Sequence, residues 1–226
     1  GWAKDFMNNL SSKSLKSISA FNLFLSGGGG CGKSHLIKTI YHSVTKLLLY
    51  HGGNPDKIRV LVLAPTGVAA INIDGTTIHS GLNIPCHGKL FPLNDKNLAS
   101  LRNKYSEVQL VIIDEISMVP SKLLFQVHQR LLEIFGCSAN APFAGKSVLI
   151  CGDLYQLPPV RAKPVFMFDE FSTLFQGVLS MDLWLNFEIA ELTEVMRQKV
   201  DSVFINLLNK VRVGNIVDDV ESLLRK

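Results

Sequence analysis

The stretch "FNLFLSGGGGCGKSHLIKTIYHSV", residues 21–44, sets four consecutive glycines between an apolar run and an amphipathic one. Glycine loses more backbone entropy on ordering than any other residue. A chain that concentrates it here either carries a floppy linker or must bring its backbone close to something. The flanks exclude the linker. "FNLFL" reads as a buried strand, and Leu36, Ile37, Ile40, Val44, Leu47 and Leu48 recur at helical spacing. Gly27-x4-Gly32-Lys33-Ser34 also fits the phosphate-binding loop pattern. Such a loop aims several backbone N–H groups into one hollow at a helix N-terminus, where the dipole favours anions. The candidate nucleotide-binding residues are therefore Gly27, Gly28, Gly29, Gly30, Cys31, Gly32, Lys33, Ser34 and His35. Lys33 would reach the β- and γ-phosphates, and the Ser34 hydroxyl would ligate Mg²⁺. Cys31, beside a helix N-terminus and Lys33, is expected to react with thiol reagents and to be shielded by nucleotide.

The 226 residues are 47% hydrophobic and 19% charged, enough to bury a substantial core. The net charge of +4 permits nucleic acid binding without demonstrating it. No apolar run is long enough to cross a membrane, so no membrane partner is expected. The four cysteines, Cys31, Cys86, Cys137 and Cys151, form no C-x-x-C pair, and reduced thiols in an intracellular protein are the expected state. Cys86-His87 lacks the further partners a metal site needs. The chain opens on Gly1 and closes in the helical pattern "VESLLRK", so a fragment is expected.

Five short apolar runs punctuate the chain, at 22–26, 59–64, 108–114, 147–152 and 187–193. Their near-continuous hydrophobicity suits strands buried on both faces. Helical patterns lie between them, at 33–50, 66–72, 97–104 and 121–135, and two more follow at 201–213 and 216–225. Alternating strands and helices predict an α/β fold with a mainly parallel sheet covered by helices on both faces. Right-handed crossovers place the loops after the strands along one edge, where ligands bind. Residues 83–97 and 158–176 read as irregular excursions. In the second, Phe166, Phe168, Phe171 and Phe175 could form a packed lid or a nucleic acid platform, and core packing is the expected role.

The other strand ends carry matching chemistry. "LVIIDE" sets Asp114 and Glu115 at the end of an apolar run. Asp114 would hold Mg²⁺, and Glu115 would take the proton of the attacking water. "GDLYQLPPV" brings Gln156, whose amide could sense a γ-phosphate, while "LTEVMRQ" ends in Arg197, whose guanidinium suits a transferring phosphoryl group. Taken alone, Gln156 and Asp153 are ordinary turn residues and Arg197 a surface charge. "LAPTGVAAINIDGTTIHS" supplies Pro65, Thr66, Gly67, Thr77 and His79 in two small-residue turns. These could take a nucleic acid backbone, or could be loop and cap chemistry.

In this order the stretches resemble the superfamily-one DNA helicases of the Pif-one-like and RecD-like group, especially the helitron-type Pif-one-like helicases. "GGGGCGKSH" looks like motif I, "APTGVAA" like motif Ia with "GTTIHS" after it, "VIIDEISMV" like motif II, "GDLYQLPPV" like motif III and "LTEVMRQ" like motif IV. The resemblance runs from about residue 21 to 213. It implies a RecA-like P-loop ATPase that couples ATP hydrolysis to 5′-to-3′ movement on single-stranded DNA, in repair, recombination and telomere maintenance. It also implies ATP and Mg²⁺ as cofactors, single-stranded DNA as partner, and the nucleus, or else the mitochondrion, as compartment. Lys33, Asp114, Glu115, Gln156 and Arg197 would be catalytic, Ser34 and Asp114 metal ligands, and Pro65, Thr66, Gly67, Thr77 and His79 the DNA track. The domain expectation is a truncated helical lead-in over 1–20, the ATPase domain over 21–200, and a helical segment over 201–226 leading to a second RecA-like domain that the chain lacks. In the family the motif III strand lies between those of motifs I and II. The glutamine-bearing segment that precedes motif I in the family has no counterpart in residues 1–20, which contain no glutamine. The alternatives are an inactive nucleotide- or DNA-binding fragment, or another phosphate-loop NTPase or kinase. "NDKN" at 94–97 faintly suggests a guanine motif with its order wrong.

Overall fold

The computed structural model describes residues 20–50, 54–136, 141–167, 183–194, 196 and 210–214. The expected lead-in over 1–20 lies, but for Ala20, outside them. So do most of the two tail helices, Phe168, Phe171, Phe175, Cys137 and Arg197.

Six strands form one sheet: β1 (Asn22–Gly27), β2 (Val60–Ala64), β3 (Thr76–Thr77), β4 (Leu110–Ile113), β5 (Ser147–Gly152) and β6 (Glu188–Leu192). Their order is β3-β2-β4-β5-β1-β6, and every pairing is parallel. The motif III strand β5 therefore sits between β1 and β4, as the resemblance implied. The helices are α1 (Lys33–Tyr50), α2 (Gly67–Asn72), α3 (Ile78–Leu82), α4 (Asp95–Lys104) and α5 (Ser121–Phe135).

The period of two along each strand sorts the apolar residues into two cores. Val60, Val62 and Ala64 of β2 face one side with Leu110 and Ile112 of β4, against Ile37 and Val44 of α1 and Ala70 of α2. Leu61 and Leu63 face the other with Val111 and Ile113, against residues of α3, α4 and α5 such as Leu82, Leu101 and Leu131. Both faces are thus covered by helices, which is why β2 and β4 are buried at every position.

Two local readings change. Residues 76–82 are not a bare turn: Thr76–Thr77 add a two-residue edge strand to β2, and α3 follows at once. The first excursion ends early, because α4 begins at Asp95, two residues before the expected start. Asn94 caps it, its side chain accepting from the Asn97 N–H at 2.8 Å, and Asp95 lies in the positive first turn. The faint guanine signal at 94–97 is thereby spent on helix capping. Irregular chain over 83–94 is held by Arg130, 1% exposed, whose guanidinium donates to the carbonyls of Asn83 and Phe91 and pairs with Glu133. Phe166 is 46% exposed and meets Trp184 in a tilted arrangement, 6.4 Å between ring centroids, so its packing is partial.

Candidate functional site: a phosphate loop at the sheet edge

The C-terminal ends of β1, β4 and β5, three neighbouring strands, meet at one edge of the sheet. The loop from Gly27 to Gly32 leaves β1 and enters α1 at Lys33. Gly30 and Gly32 take φ of 79° and 89°, the left-handed region that L side chains avoid. Gly27 has a different reason to be glycine: a β-carbon there would stand 2.5 Å from Cys31 Sγ. The Cys31 sulfur is thus turned into the loop, and the residue is only 7% exposed. That burial removes the access which thiol labelling needs, so fast labelling of Cys31 is not expected after all. Lys33 folds over the loop, its Nζ donating to the Gly27 and Gly28 carbonyls at 2.7 and 3.0 Å. Ser34 and His35 are exposed in the first turn of α1.

Asp114 and Glu115 follow β4 directly. Asp114 is 4% exposed. Burial pushes its carboxyl up to about 6, against a hydrogen bond from the Glu115 N–H (2.9 Å) and the nearby Lys33 charge, with the Glu115 carboxylate adding to the rise. Glu115 takes φ 50° and ψ 48°, a left-handed geometry that costs a non-glycine residue about 1 kcal/mol or more. That turn aims consecutive carboxylates differently, one buried and one half-exposed.

The Asp114 shift has a consequence for stability. A carboxyl whose folded value lies above its unfolded one stabilises the fold less as pH rises from about 4 through 6, because the charged form is disfavoured by burial. Asp114→Asn removes that charge. In EDTA, without nucleotide, the variant should be more stable than wild type at pH 7.5 by roughly 1–3 kcal/mol. The gap should close as the pH falls toward 4. Thermal melts across that range would read it, and a pH-independent difference would refute the buried-charge account.

β5 ends in Gly152 and Asp153. Gln156 stands across from the phosphate loop: a β-carbon on Gly29 would lie 4.0 Å from its Nε2. Two neighbours went unread. The Met196 N–H donates to the Gly30 carbonyl at 2.9 Å, tying the segment after β6 to the loop. Arg212 pairs with Asp153 through Nη2 at 2.8 Å, beside Gly28. Nothing in "NKVRVGN" marks that arginine, which reads as a surface charge on a helix.

Of the expected DNA track, Pro65 and His79 line a common cleft of about 470 Å³ with His87, Lys122, Arg161 and Lys163 among its walls, and no acidic residue lines it among the described residues. Burial lowers the pKa of His79 below its ordinary value, and nearby His87 lowers it further. His79 therefore offers a hydrogen bond at neutral pH rather than a charge. Thr66 and Thr77 are engaged locally: Thr66 caps α2 by accepting from the Ala69 N–H, and Thr77 caps α3 by accepting from the Ser80 N–H, each at 3.2 Å. Gly67 has open space around it. Helices of six and five residues make weak anion sites, so the basic side chains of the cleft carry the electrostatics here.

The residues present fit a Mg²⁺-bound nucleotide. The glycine loop forms a cradle that side chains would fill, Lys33 supplies a charge at its rim, and Ser34 and Asp114 are the hard oxygen donors that Mg²⁺ takes in ones and twos beside phosphate. Among the described residues no cluster of three or more His, Cys, Asp or Glu offers an all-protein metal cage.

Comparison with known proteins agrees with this geometry. The chain is 36% identical over 209 residues to the ATP-dependent DNA helicase PIF1 of Candida albicans, covering 89% of this chain and 22% of that protein. It is 35% identical to the Xenopus laevis PIF1, over 90% of this chain and 29% of the relative. Among solved structures, the Candida albicans Pif1 helicase superposes with a TM-score of 0.68 at 30% identity, over 96% of this chain and 44% of that one. A Bacteroides Pif1 helicase in complex with ADP-AlF3 and ssDNA superposes with a TM-score of 0.63 at 28% identity, over 97% and 48%. The chain thus spans under a third of these curated relatives and about half of the solved chains. The sheet is the RecA-like sheet of those structures. A family model described as PIF1-like helicase matches residues 6–222, and the chain belongs to that family.

Proposed function

We propose that residues 1–226 form the first motor domain of a 5′-to-3′ ATP-dependent DNA helicase that moves on single-stranded DNA, in the nucleus, in repair, recombination and telomere maintenance. The observation that carries the reading is the meeting of Lys33, Asp114, Glu115 and Gln156 at the ends of three adjacent parallel strands. Relatives named for ATP-dependent DNA helicase activity and one solved with ADP-AlF3 and ssDNA support it. In this reading the ATPase domain extends over residues 21–200, and a second RecA-like domain completes the motor.

Each residue is assigned one role in this reading. The loop N–H groups and Lys33 hold the β- and γ-phosphates. Ser34 and Asp114 hold Mg²⁺, which when bound offsets charge on the phosphate oxygens. Glu115 accepts the proton of the attacking water. Gln156 orients that water or reports the γ-phosphate, and Arg197 contacts the same group. Pro65, Thr66, Gly67, Thr77 and His79 lie along the DNA path, where the cleft's Lys122, Arg161 and Lys163 meet its phosphates.

The test is a titration with ATP and Mg²⁺ by calorimetry, followed by hydrolysis with and without single-stranded DNA. Residues 1–226 alone should bind weakly and turn over slowly, and a form carrying both motor domains should show DNA-stimulated turnover. Binding without turnover, in a form carrying both motor domains, would favour an inactive nucleotide-binding module. No ATP binding would remove the reading altogether.

A further inference from the structure

Asp153 is 1% exposed, yet it is charged. Burial works against that charge, and hydrogen bonds from the Arg212 guanidinium and the Tyr155 N–H outweigh it, holding the carboxyl below its ordinary range. The carboxylate is fully subscribed. Arg212 donates through Nε at 3.2 and 2.9 Å to its two oxygens and through Nη2 at 2.8 Å. The Tyr155 N–H donates at 3.1 Å and the Gln156 Nε2 at 3.4 Å. A carboxylate can only accept, so it fixes which face of the Gln156 amide is turned toward it. Oε1 is left for a water or another donor. The Tyr155 ring lies against the same guanidinium, 4.9 Å from its carbon. The remaining amino group, Nη1, comes within 3.7 Å of a β-carbon placed on Gly28. Arg212 thus stands over the phosphate loop next to Gln156, although it lies 59 residues beyond Asp153.

We propose that Arg212 is a positioning residue for nucleotide sensing: by clamping Asp153 it fixes the Gln156 amide over the phosphate loop. A bidentate guanidinium sets both the place and the plane of the carboxylate, which a lysine at one point cannot do. The Gln156 amide inherits that orientation through its bond to Asp153. The segment 210–214 then belongs to the nucleotide site as much as to whatever follows it. This inference rests on the motor-domain reading of the site.

The test compares affinity for a non-hydrolysable ATP analogue, AMP-PNP, with affinity for ADP, by calorimetry with Mg²⁺. That ratio reads γ-phosphate sensing without turnover. Gln156→Ala should lower it about tenfold, the scale of one hydrogen bond to a charged group. Arg212→Ala should lower it as much, with ADP affinity changed under about threefold. The double variant should be no worse than Gln156→Ala alone, because both changes remove one coupled unit. Removing the guanidinium leaves a buried charge unpaired, so Arg212→Lys is measured beside it. That variant keeps the charge, melts near wild type and should still lower the ratio. A ratio unchanged in Arg212→Lys and Arg212→Ala while Gln156→Ala lowers it would overturn the positioning role and leave the motor reading intact. A double variant that loses the product of the two single losses would overturn it too. If wild type bound neither nucleotide, the motor reading itself would fall, and the inference with it.

Discussion

Glu115→Gln should bind ATP as wild type does and hydrolyse it ~10²–10⁴-fold more slowly, the usual cost of losing a positioned general base. The substitution is close to isosteric, so the left-handed turn at φ 50°, ψ 48° should persist. The backbone N–H that this turn presents to Asp114 is untouched, so the neighbouring carboxylate keeps its 2.9 Å hydrogen bond. What the amide cannot do is accept a proton from water. The two strand-end acids are separable because β4 buries one and half-exposes the other. Asp114, 4% exposed, is held where a cation would repay its burial, while Glu115 is half-exposed and open to solvent. Single-turnover phosphate release with protein in excess resolves even slow hydrolysis, and calorimetry checks binding in parallel. Turnover within a few-fold of wild type would place the base elsewhere.

The elements that sequence periodicity marked are those whose burial is two-sided. "VLVLA" and "LVII" are apolar at every position because helices cover both faces of β2 and β4, and that pattern is readable without coordinates. The site followed for the same reason: once the strands are placed, Lys33, Asp114, Glu115 and Gln156 fall at their C-terminal ends. Other features depended on partners distant in the chain. β3 is two residues long and exists only because Leu63 and Ala64 pair with it. Thr66 and Thr77 could have faced DNA or their own helices, and capping bonds only become visible when the helix starts are known. Cys31 looked exposed beside a helix N-terminus, but the missing side chain at Gly27 leaves exactly the space its sulfur enters from within the loop. Arg212 meets Asp153 across 59 residues, a pairing to which local spacing is blind.

Lys33→Ala should weaken ATP·Mg²⁺ binding by ~10²–10⁴-fold, the loss of about two charge-assisted hydrogen bonds at roughly 1.5–3 kcal/mol each. Its ammonium is already placed at the loop, bonded to the Gly27 and Gly28 carbonyls and 3.9 Å from Cys31 Sγ. Binding phosphate then asks for a small swing of a flexible stem rather than an approach from solvent. The substitution removes more than a phosphate contact. Two loop carbonyls lose a charged donor, and Asp114 loses the nearby cation that holds its carboxyl down, so that carboxyl should rise further. The lost phosphate contact and the higher Asp114 carboxyl both act against an anionic ligand and its Mg²⁺. Lys33→Arg separates them, since it restores the charge but puts a broad, rigid planar group where a compact ammonium sits in a narrow turn. It should recover part of the affinity, and less than half of the lost free energy. Calorimetric titration of wild type and both variants reads the series, with thermal melts confirming that each remains folded. ATP affinity unchanged in a folded Lys33→Ala variant would mean that the glycine loop, whatever its shape, is not where the nucleotide phosphates bind.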